Sequence, residues 1–323
     1  MLSQNFQRLS KKKIEVLCVS LLFFIAIIPR IFLYHTEFFR SPDPIEYINV
    51  AKNINSGKGL TQSIKWFFFD TSPVITSALK GRPILTSLIF SALLRIHNDV
   101  YFLQAFELVL VSINIILFYL LARHFFSSKV SFLAAFIAAI NPNVLITNRL
   151  ILSEPICVFF VLVFFIIFYN MKKNAVRYLL LGFISGLAYL TRFEGFLLLL
   201  TLFLLEVKNY KLILVSLISF VAVTLPYFLL NFQVNHNPFY SYNSYHLQVR
   251  SFSEGMWDGF GKTFPTSASF IKNNLFWIII AVKNLFIYNI KSIIGISFLS
   301  FLSLIYFLQF KLHSGSTWEI TLV

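Results

Sequence analysis

Residues 101–122 read YFLQAFELVLVSINIILFYLLA. A transmembrane helix needs about 20 consecutive, mostly apolar residues, and this run supplies them. Working outward, further apolar runs are found at 14–33, 130–147, 153–170, 177–190, 195–207, 211–230, 274–290 and 292–310. The sequence therefore predicts an all-α polytopic membrane protein with about nine transmembrane helices.

The composition excludes several classes of protein. Of the 323 residues, 58% are hydrophobic and 12% are charged, whereas soluble chains carry about 25% charged residues. This argues against a disordered chain, a collagen-like chain and a disulfide-rich secreted module. The net charge of +14 would indicate nucleic-acid binding in a soluble protein. Here the basic residues lie in short clusters between apolar runs, so we expect no nucleic-acid partner.

The positions of the basic clusters predict a topology. Most of them fall in alternate connections, at 8–13, 123–129, 171–177, 208–211 and Lys291. The positive-inside rule places these connections and the N-terminus in the cytoplasm. The first apolar run is too long for a signal peptide, so we interpret it as a retained helix. We expect one integral membrane domain over residues 1–323, located in a bacterial plasma membrane.

Two long segments then fall on the extracytoplasmic side, at 34–100 and 231–273. Long loops on one face of a membrane protein commonly carry its function. Both loops are rich in aromatic residues, which favour the membrane interface, so anchoring to the lipid surface is the plainer alternative. Residues 84–96 are apolar but too short to span, and they predict a helix lying along the surface.

The first loop contains the motif Asp43-Pro44-Ile45-Glu46-Tyr47. Asp as N-cap, Pro at the first helical position and Glu at the third predict the start of a helix that runs to Ser56. The plain interpretation of Asp43 is a cap that stabilises the helix by about 1 kcal/mol. The functional interpretation is a carboxylate fixed at the outer surface, and the two are compatible.

Two further motifs fall on the same face. Arg149 to Glu154 opens the fourth apolar run, and an acid that enters such a run is a functional candidate by default. Arg192 and Glu194 lie at the next outer turn, where they could pair with each other, or Arg192 could hold a phosphate. Arg82 and Arg30 lie on the same side, although Arg30 could also snorkel to the interface.

The order of these motifs resembles the C-type-fold membrane glycosyltransferases. This group includes the protein O-mannosyltransferases of glycosyltransferase family 39 and the lipid A aminoarabinose transferases. The matching segments are Asp43 to Tyr47, Gly81 to Leu85, Arg149 to Glu154, Gly182 through Glu194, and Leu225-Pro226 with Asn231. The second acid of the family's Asp-Glu pair is Pro44 here, and Glu46 is a candidate substitute.

The resemblance implies transfer of a hexose or pentose from a polyprenyl-phosphate donor to a protein, lipid or glycan acceptor outside the membrane. Asp43 is then the candidate base. Arg192 is the lead candidate for the donor phosphate, with Arg82 and Arg30 behind it. Glu154 is a second catalytic candidate that could orient the acceptor, hold Arg149 or help bind a divalent metal ion. The remaining substrate-binding candidates are Glu46, Tyr47, Arg149 and Glu194.

Two other functions compete with this interpretation. A transporter or flippase of a lipid-linked or anionic solute would also need a multi-span helical chain, but with its polar groups near the membrane midplane. A non-catalytic assembly subunit would account for the missing second acid. The placement of the charged motifs at the outer ends of the spans favours the transferase.

Overall fold

The computed structural model describes residues 2–34, 43–64, 75–141, 144–145 and 150–241. The two predicted spans after residue 273, most of the second long loop and Arg149 lie outside the described residues. The described residues all belong to one compact unit, Met1–Asn243.

The described part of the chain is helical, which confirms the predicted all-α class. Its α-helices are α1 Leu2–Ile31, α2 Asp43–Asn55, α3 Leu85–Ile96, α4 Val100–Phe125, α5 Ser128–Ile140, α6 Glu154–Asn170, α7 Ala175–Thr191, α8 Phe196–Leu205 and α9 Tyr210–Asn235. Two short strands, β1 Thr61–Gln62 and β2 Thr76–Ser77, pair antiparallel with Thr61 opposite Ser77.

Three of the described segments are long and apolar enough to cross a membrane, at Lys13–Ile31, Val100–Phe125 and Val207–Asn235. Helices α5 to α8 are apolar but shorter. Helix α5 covers the predicted span 130–147 as far as Ile140, and most of the remaining residues of that span lie outside the described ones. Asn141 has a non-helical ψ of 123° and precedes a proline, and a residue before proline avoids helical geometry for steric reasons.

The surface helix predicted at 84–96 is α3, which packs against α2. Tyr47 of α2 and Phe90 of α3 meet edge to face with ring centroids 6.3 Å apart, and both are buried. Leu94 and Ile151 belong to the same apolar core. We call this end of the bundle, where α2 and α3 lie and where α4 and α6 begin, the loop end.

The opposite end of the bundle carries its own charged cluster. The buried carboxylate of Glu206 accepts hydrogen bonds from Lys173 at 3.0 Å and from Arg177 at 3.4 Å. Arg123, at the end of α4, lies 3.8 Å from Glu15. Ion pairs are therefore found at both ends of the bundle.

Candidate functional site

The first helix of the site begins at Asp43 itself, not one residue later as an Asp43 N-cap would require. Because α-helical side chains three residues apart share a face, Asp43 and Glu46 lie on the same side of α2. Both reach one guanidinium. Arg82 donates from Nη2 to Asp43 Oδ1 at 2.5 Å and from Nε to Glu46 Oε2 at 2.9 Å. The carboxylate of Asp43 is thus fixed by Arg82.

The two carboxylates on Arg82 differ in exposure. The side chain of Asp43 is 22% exposed and that of Glu46 is 7% exposed. Burial raises the pKa of Glu46, and Arg82 counters only part of that effect. Burial acts to lower the pKa of Arg82, but Tyr47, Glu46 and Asp43 outweigh it and leave the pKa above its usual value. Glu46 therefore anchors Arg82, while Asp43 is the more exposed of the two carboxylates.

Tyr47 links Arg82 to Ser153 of the Arg149 to Glu154 motif. Its hydroxyl accepts a hydrogen bond from Arg82 Nη1 at 3.4 Å and donates one to Ser153 Oγ at 3.0 Å. The guanidinium carbon of Arg82 also lies 5.5 Å from the centre of the tyrosine ring. Burial raises the pKa of Tyr47, so its hydroxyl keeps its proton at neutral pH and continues to donate to Ser153.

Arg192 forms the other half of the site. Its Nη1 donates to Glu154 Oε1 at 2.6 Å and to Ser153 Oγ at 3.2 Å, and its Nη2 donates to Glu194 Oε1 at 3.3 Å. Burial acts to lower the pKa of Arg192, but Glu154 and Glu194 outweigh it and raise the pKa. The predicted pairing of Arg192 with Glu194 is confirmed, and Glu154 is its closer partner.

A tight turn presents Arg192 and Glu194. Helix α7 ends at Thr191, and a single 3₁₀ turn, Phe193–Gly195, leads into α8. A Cβ atom on Gly195 would lie 2.3 Å from the carbonyl carbon of Ala188. Only glycine fits this approach, so the sequence Arg-Phe-Glu-Gly sets the position of both charged side chains.

We call these hydrogen-bonded residues the loop-end network. Its members come from four separated motifs, and they are Asp43, Glu46, Tyr47, Arg82, Ser153, Glu154, Arg192 and Glu194. Every one of them except Ser153 is a site residue that the sequence predicts. Within the described ranges, no group of three or more histidine, cysteine or acidic side chains could hold a metal ion. A divalent ion at Glu154 stays a prediction.

Arg30 is the predicted site residue that the structure places elsewhere. It is fully buried, and its Nη1 donates to the carbonyl oxygens of Ala26 at 2.5 Å and Ala139 at 3.1 Å. The alternative of a side chain that snorkels to the interface is therefore wrong, because the guanidinium faces the interior between α1 and α5. Arg149, the remaining candidate, lies outside the described residues.

The sequence analysis did not identify two residues of interest, Ser153 and Glu107. Ser153 stands inside a quoted motif, but a serine before an apolar run carries no signal of its own, and its role rests on three partners that the fold assembles. Glu107 is fully buried inside α4. The sequence does mark Glu107, because an acid within a transmembrane run is unusual and is by default a functional candidate.

Comparison with known proteins gives a match to one family. Residues 81–232 match the family described as dolichyl-phosphate-mannose-protein mannosyltransferase. This region is just under half of the chain and includes Arg82, Ser153, Glu154, Arg192 and Glu194. The match confirms the predicted resemblance. No curated protein and no solved structure gives a significant match.

Proposed function

We propose, from the premise that residues 81–232 match a family of membrane mannosyltransferases, that this protein transfers a sugar from a polyprenyl-phosphate donor to an acceptor outside the membrane. Mannose is the first candidate for the sugar, because the family's description names dolichyl-phosphate mannose. The observation that carries the proposal is the loop-end network, which joins carboxylates and arginines of four separated motifs at one end of the bundle.

The reaction needs few chemical groups. The hydroxyl of the acceptor attacks the anomeric carbon, the bond from that carbon to the phosphate oxygen breaks, and the lipid phosphate leaves as an anion. The proton of the acceptor hydroxyl must go to a base. The charge that builds up on the phosphate must be stabilised by fixed positive groups. No general acid is required, in contrast with glycoside hydrolysis, because a phosphate leaves without being protonated.

Asp43 is the base in this proposal. It is the more exposed of the two carboxylates on Arg82, and that ion pair fixes its orientation. Glu46 is too buried to meet a substrate directly and serves to hold Arg82. The acceptor hydroxyl would approach the open side of Asp43, where it gives up its proton as the new bond forms.

Arg192 binds the donor phosphate in this proposal. Its side chain is 28% exposed, and its guanidinium already bonds oxygen atoms through two nitrogens. A planar guanidinium with paired donors suits a phosphate. Glu154 and Glu194 hold Arg192 in place before the donor arrives, and Arg82 adds positive charge on the side of Asp43.

The test is lipid analysis of cells that lack the protein, complemented with wild type or with Asp43→Asn. We expect a polyprenyl-phosphate sugar to accumulate without the protein and to be cleared only by wild type. Its mass identifies the sugar. Purified Asp43→Asn should retain its fold and lose transfer by about a hundredfold or more, as is typical for removal of a general base.

Asp99→Asn is the matched control. Asp99 caps α4 by accepting a hydrogen bond from the backbone N–H of Tyr101 at 3.0 Å, and asparagine caps helices equally well. The same chemical change near the same end of the bundle should therefore leave transfer intact. Full activity of Asp43→Asn would exclude Asp43 as the base. An unchanged lipid profile in all strains would contradict the transferase and favour the transporter or the assembly subunit.

A further inference from the structure

A group of exposed lysines lies at the end of the bundle opposite the loop end. They belong to the connection between α6 and α7 and to the segment that joins α8 to the first turn of α9. We call this group the lysine patch, and its members are Lys172, Lys173, Lys208 and Lys211. Segments 171–177 and 206–211 contain these lysines and Arg177, but a single acid, Glu206. Positive charge is therefore in excess at this end.

Glu206 brings the two segments together. Its Oε2 accepts hydrogen bonds from Lys173 Nζ at 3.0 Å and from Asn209 Nδ2 at 2.6 Å. Its Oε1 accepts one from Arg177 Nη2 at 3.4 Å. Since Lys173 precedes α7 whereas Glu206 and Asn209 follow α8, the carboxylate joins the two segments side by side. The lysines of both segments therefore lie at one part of the surface.

The carboxylate of Glu206 does not neutralise the lysine patch. The guanidinium of Arg177 is buried, with its central carbon 4.6 Å from the centre of the Phe168 ring. A buried guanidinium requires a counter-ion, and Glu206 supplies it. Among the described residues, the remaining lysines Lys172, Lys208 and Lys211 form no ion pair. These three ammonium groups are free to bind an external anion.

Exposed apolar side chains lie next to these lysines in the chain. Leu204, Val207 and Tyr210 are 72%, 69% and 67% exposed. A ligand that covers this surface needs an anionic head for the lysines and an apolar tail for the neighbouring side chains. A phospholipid has both parts, whereas a nucleic acid or a free anion would leave the apolar side chains uncovered.

We propose that the lysine patch binds the headgroup phosphate of an anionic phospholipid, with its acyl chains against the exposed apolar side chains of α8 and α9. Clusters of about four to eight basic residues at the ends of transmembrane helices are typical of such sites. The positive-inside rule concerns each connection separately, whereas the bonds to Glu206 place two connections at one headgroup. The inference does not rest on the proposed transferase activity, because the lysine patch shares no residue with the loop-end network.

The test is thermal unfolding of the purified full-length protein in detergent micelles. Phosphatidylglycerol is compared with phosphatidylcholine of the same acyl chains and with inorganic phosphate. A ligand that binds only the folded protein stabilises it. We therefore expect phosphatidylglycerol alone to raise the unfolding temperature by several degrees. High salt should weaken this effect, because salt screens exposed charges.

The double variant Lys208→Gln with Lys211→Gln locates the site. Each lysine near an anionic headgroup contributes about a fivefold factor in affinity. The mole fraction of phosphatidylglycerol at half-saturation should therefore rise about tenfold to thirtyfold. Lys172→Gln, on the other segment, should raise it about fivefold. All three side chains are exposed, so the unfolding temperature in phosphatidylcholine should stay at the wild-type value.

The matched control is Lys52→Gln with Lys58→Gln at the loop end. Both lysines are exposed, and the double variant loses the same net charge. We expect its response to phosphatidylglycerol to equal that of wild type. A loss as large as that of Lys208→Gln with Lys211→Gln would show a general effect of charge and overturn the site.

The remaining outcomes also decide the inference. Equal stabilisation by phosphatidylcholine would assign the effect to acyl chains and overturn the headgroup site. Equal stabilisation by inorganic phosphate would indicate a site for free anions and overturn the lipid. Unchanged half-saturation in Lys208→Gln with Lys211→Gln would exclude the lysine patch. A loss confined to the variants of the lysine patch would support the site, whatever the result of the transfer assay.

Discussion

Tyr47 is the residue on which the loop-end network depends most. Its ring is buried against Phe90, and its hydroxyl lies between Arg82 and Ser153. It is the described link between the carboxylates of α2 and the Arg192 group. If Asp43 is the base and Arg192 holds the phosphate, Tyr47 sets the distance between these two side chains.

Tyr47→Phe should uncouple the two halves of the site and keep the fold. The ring that packs on Phe90 remains, so we expect normal accumulation in the membrane. Loss of a hydrogen bond that involves a charged group should lower kcat/KM for transfer about tenfold to a hundredfold. The measurement is a transfer assay on the purified variant.

Tyr119→Phe provides the comparison for this prediction. Tyr119 is also fully buried, and its hydroxyl lies 3.2 Å from Ser128 Oγ, far along α4 from the loop end. This variant loses the same hydroxyl group at a position outside the loop-end network, so transfer should stay close to wild type. Equal losses in the two variants would show that Tyr47 acts only through general stability.

At the scale of elements, the close packing of α7 on α9 positions Arg192. A Cβ atom on Gly182 would lie 2.0 Å from the carbonyl oxygen of Ser216, so the two backbones are in contact at this point. Small residues at a helix interface permit such an approach within membranes. Gly182 and Gly186 both lie close to α9, so both glycines have a packing role.

Gly182→Ala should destabilise the bundle. The new Cβ atom would meet the backbone of Ser216, which cannot rotate away. We therefore expect the unfolding free energy to fall by at least about 1–3 kcal/mol, as is typical of overpacking. Gly186→Ala should cost less, because its closest neighbour is the side chain of Val223 at 2.9 Å. Thermal unfolding in detergent measures both variants. A larger loss for Gly186→Ala would contradict the proposed order.

At the scale of the whole molecule, the ion pairs of the described residues lie at the two ends of the helical bundle. The loop end holds the network of Asp43, Arg82 and Arg192, whereas the other end holds Lys173 and Glu206. The positive-inside rule predicts that the second end faces the cytoplasm. A transferase that acts outside the membrane requires this orientation.

Cysteine labelling in sealed cells tests the orientation. Lys52→Cys in α2 and Lys172→Cys after α6 are both exposed positions on opposite ends, to be placed in a chain whose own Cys18 and Cys157 are replaced. We expect an impermeant reagent to label Cys at 52 in intact cells and Cys at 172 only after permeabilisation. The reverse pattern would place the loop-end network on the cytoplasmic side and contradict the proposed orientation.

Much of the fold followed from local patterns. Apolar run length predicted α4, α6, α7 and the surface helix α3 within a few residues, because a span's length is set by the bilayer and not by its neighbours. Helix α5 ends at Ile140, before the end of the apolar run, because Asn141 precedes a proline and its backbone leaves helical geometry. Steric restriction before proline overrode the hydropathy there.

The sequence by itself determined the membrane class, the order of the helices and most members of the candidate site, because charged residues are rare in so apolar a chain and stand out at the ends of the apolar runs. It did not determine which charges pair. The tertiary structure decided that Arg82 holds Asp43 and Glu46, that Ser153 links Tyr47 to Arg192, and that Arg30 lies elsewhere. Pairing depends on contacts between residues far apart in the chain, and only packing of the helices sets those distances.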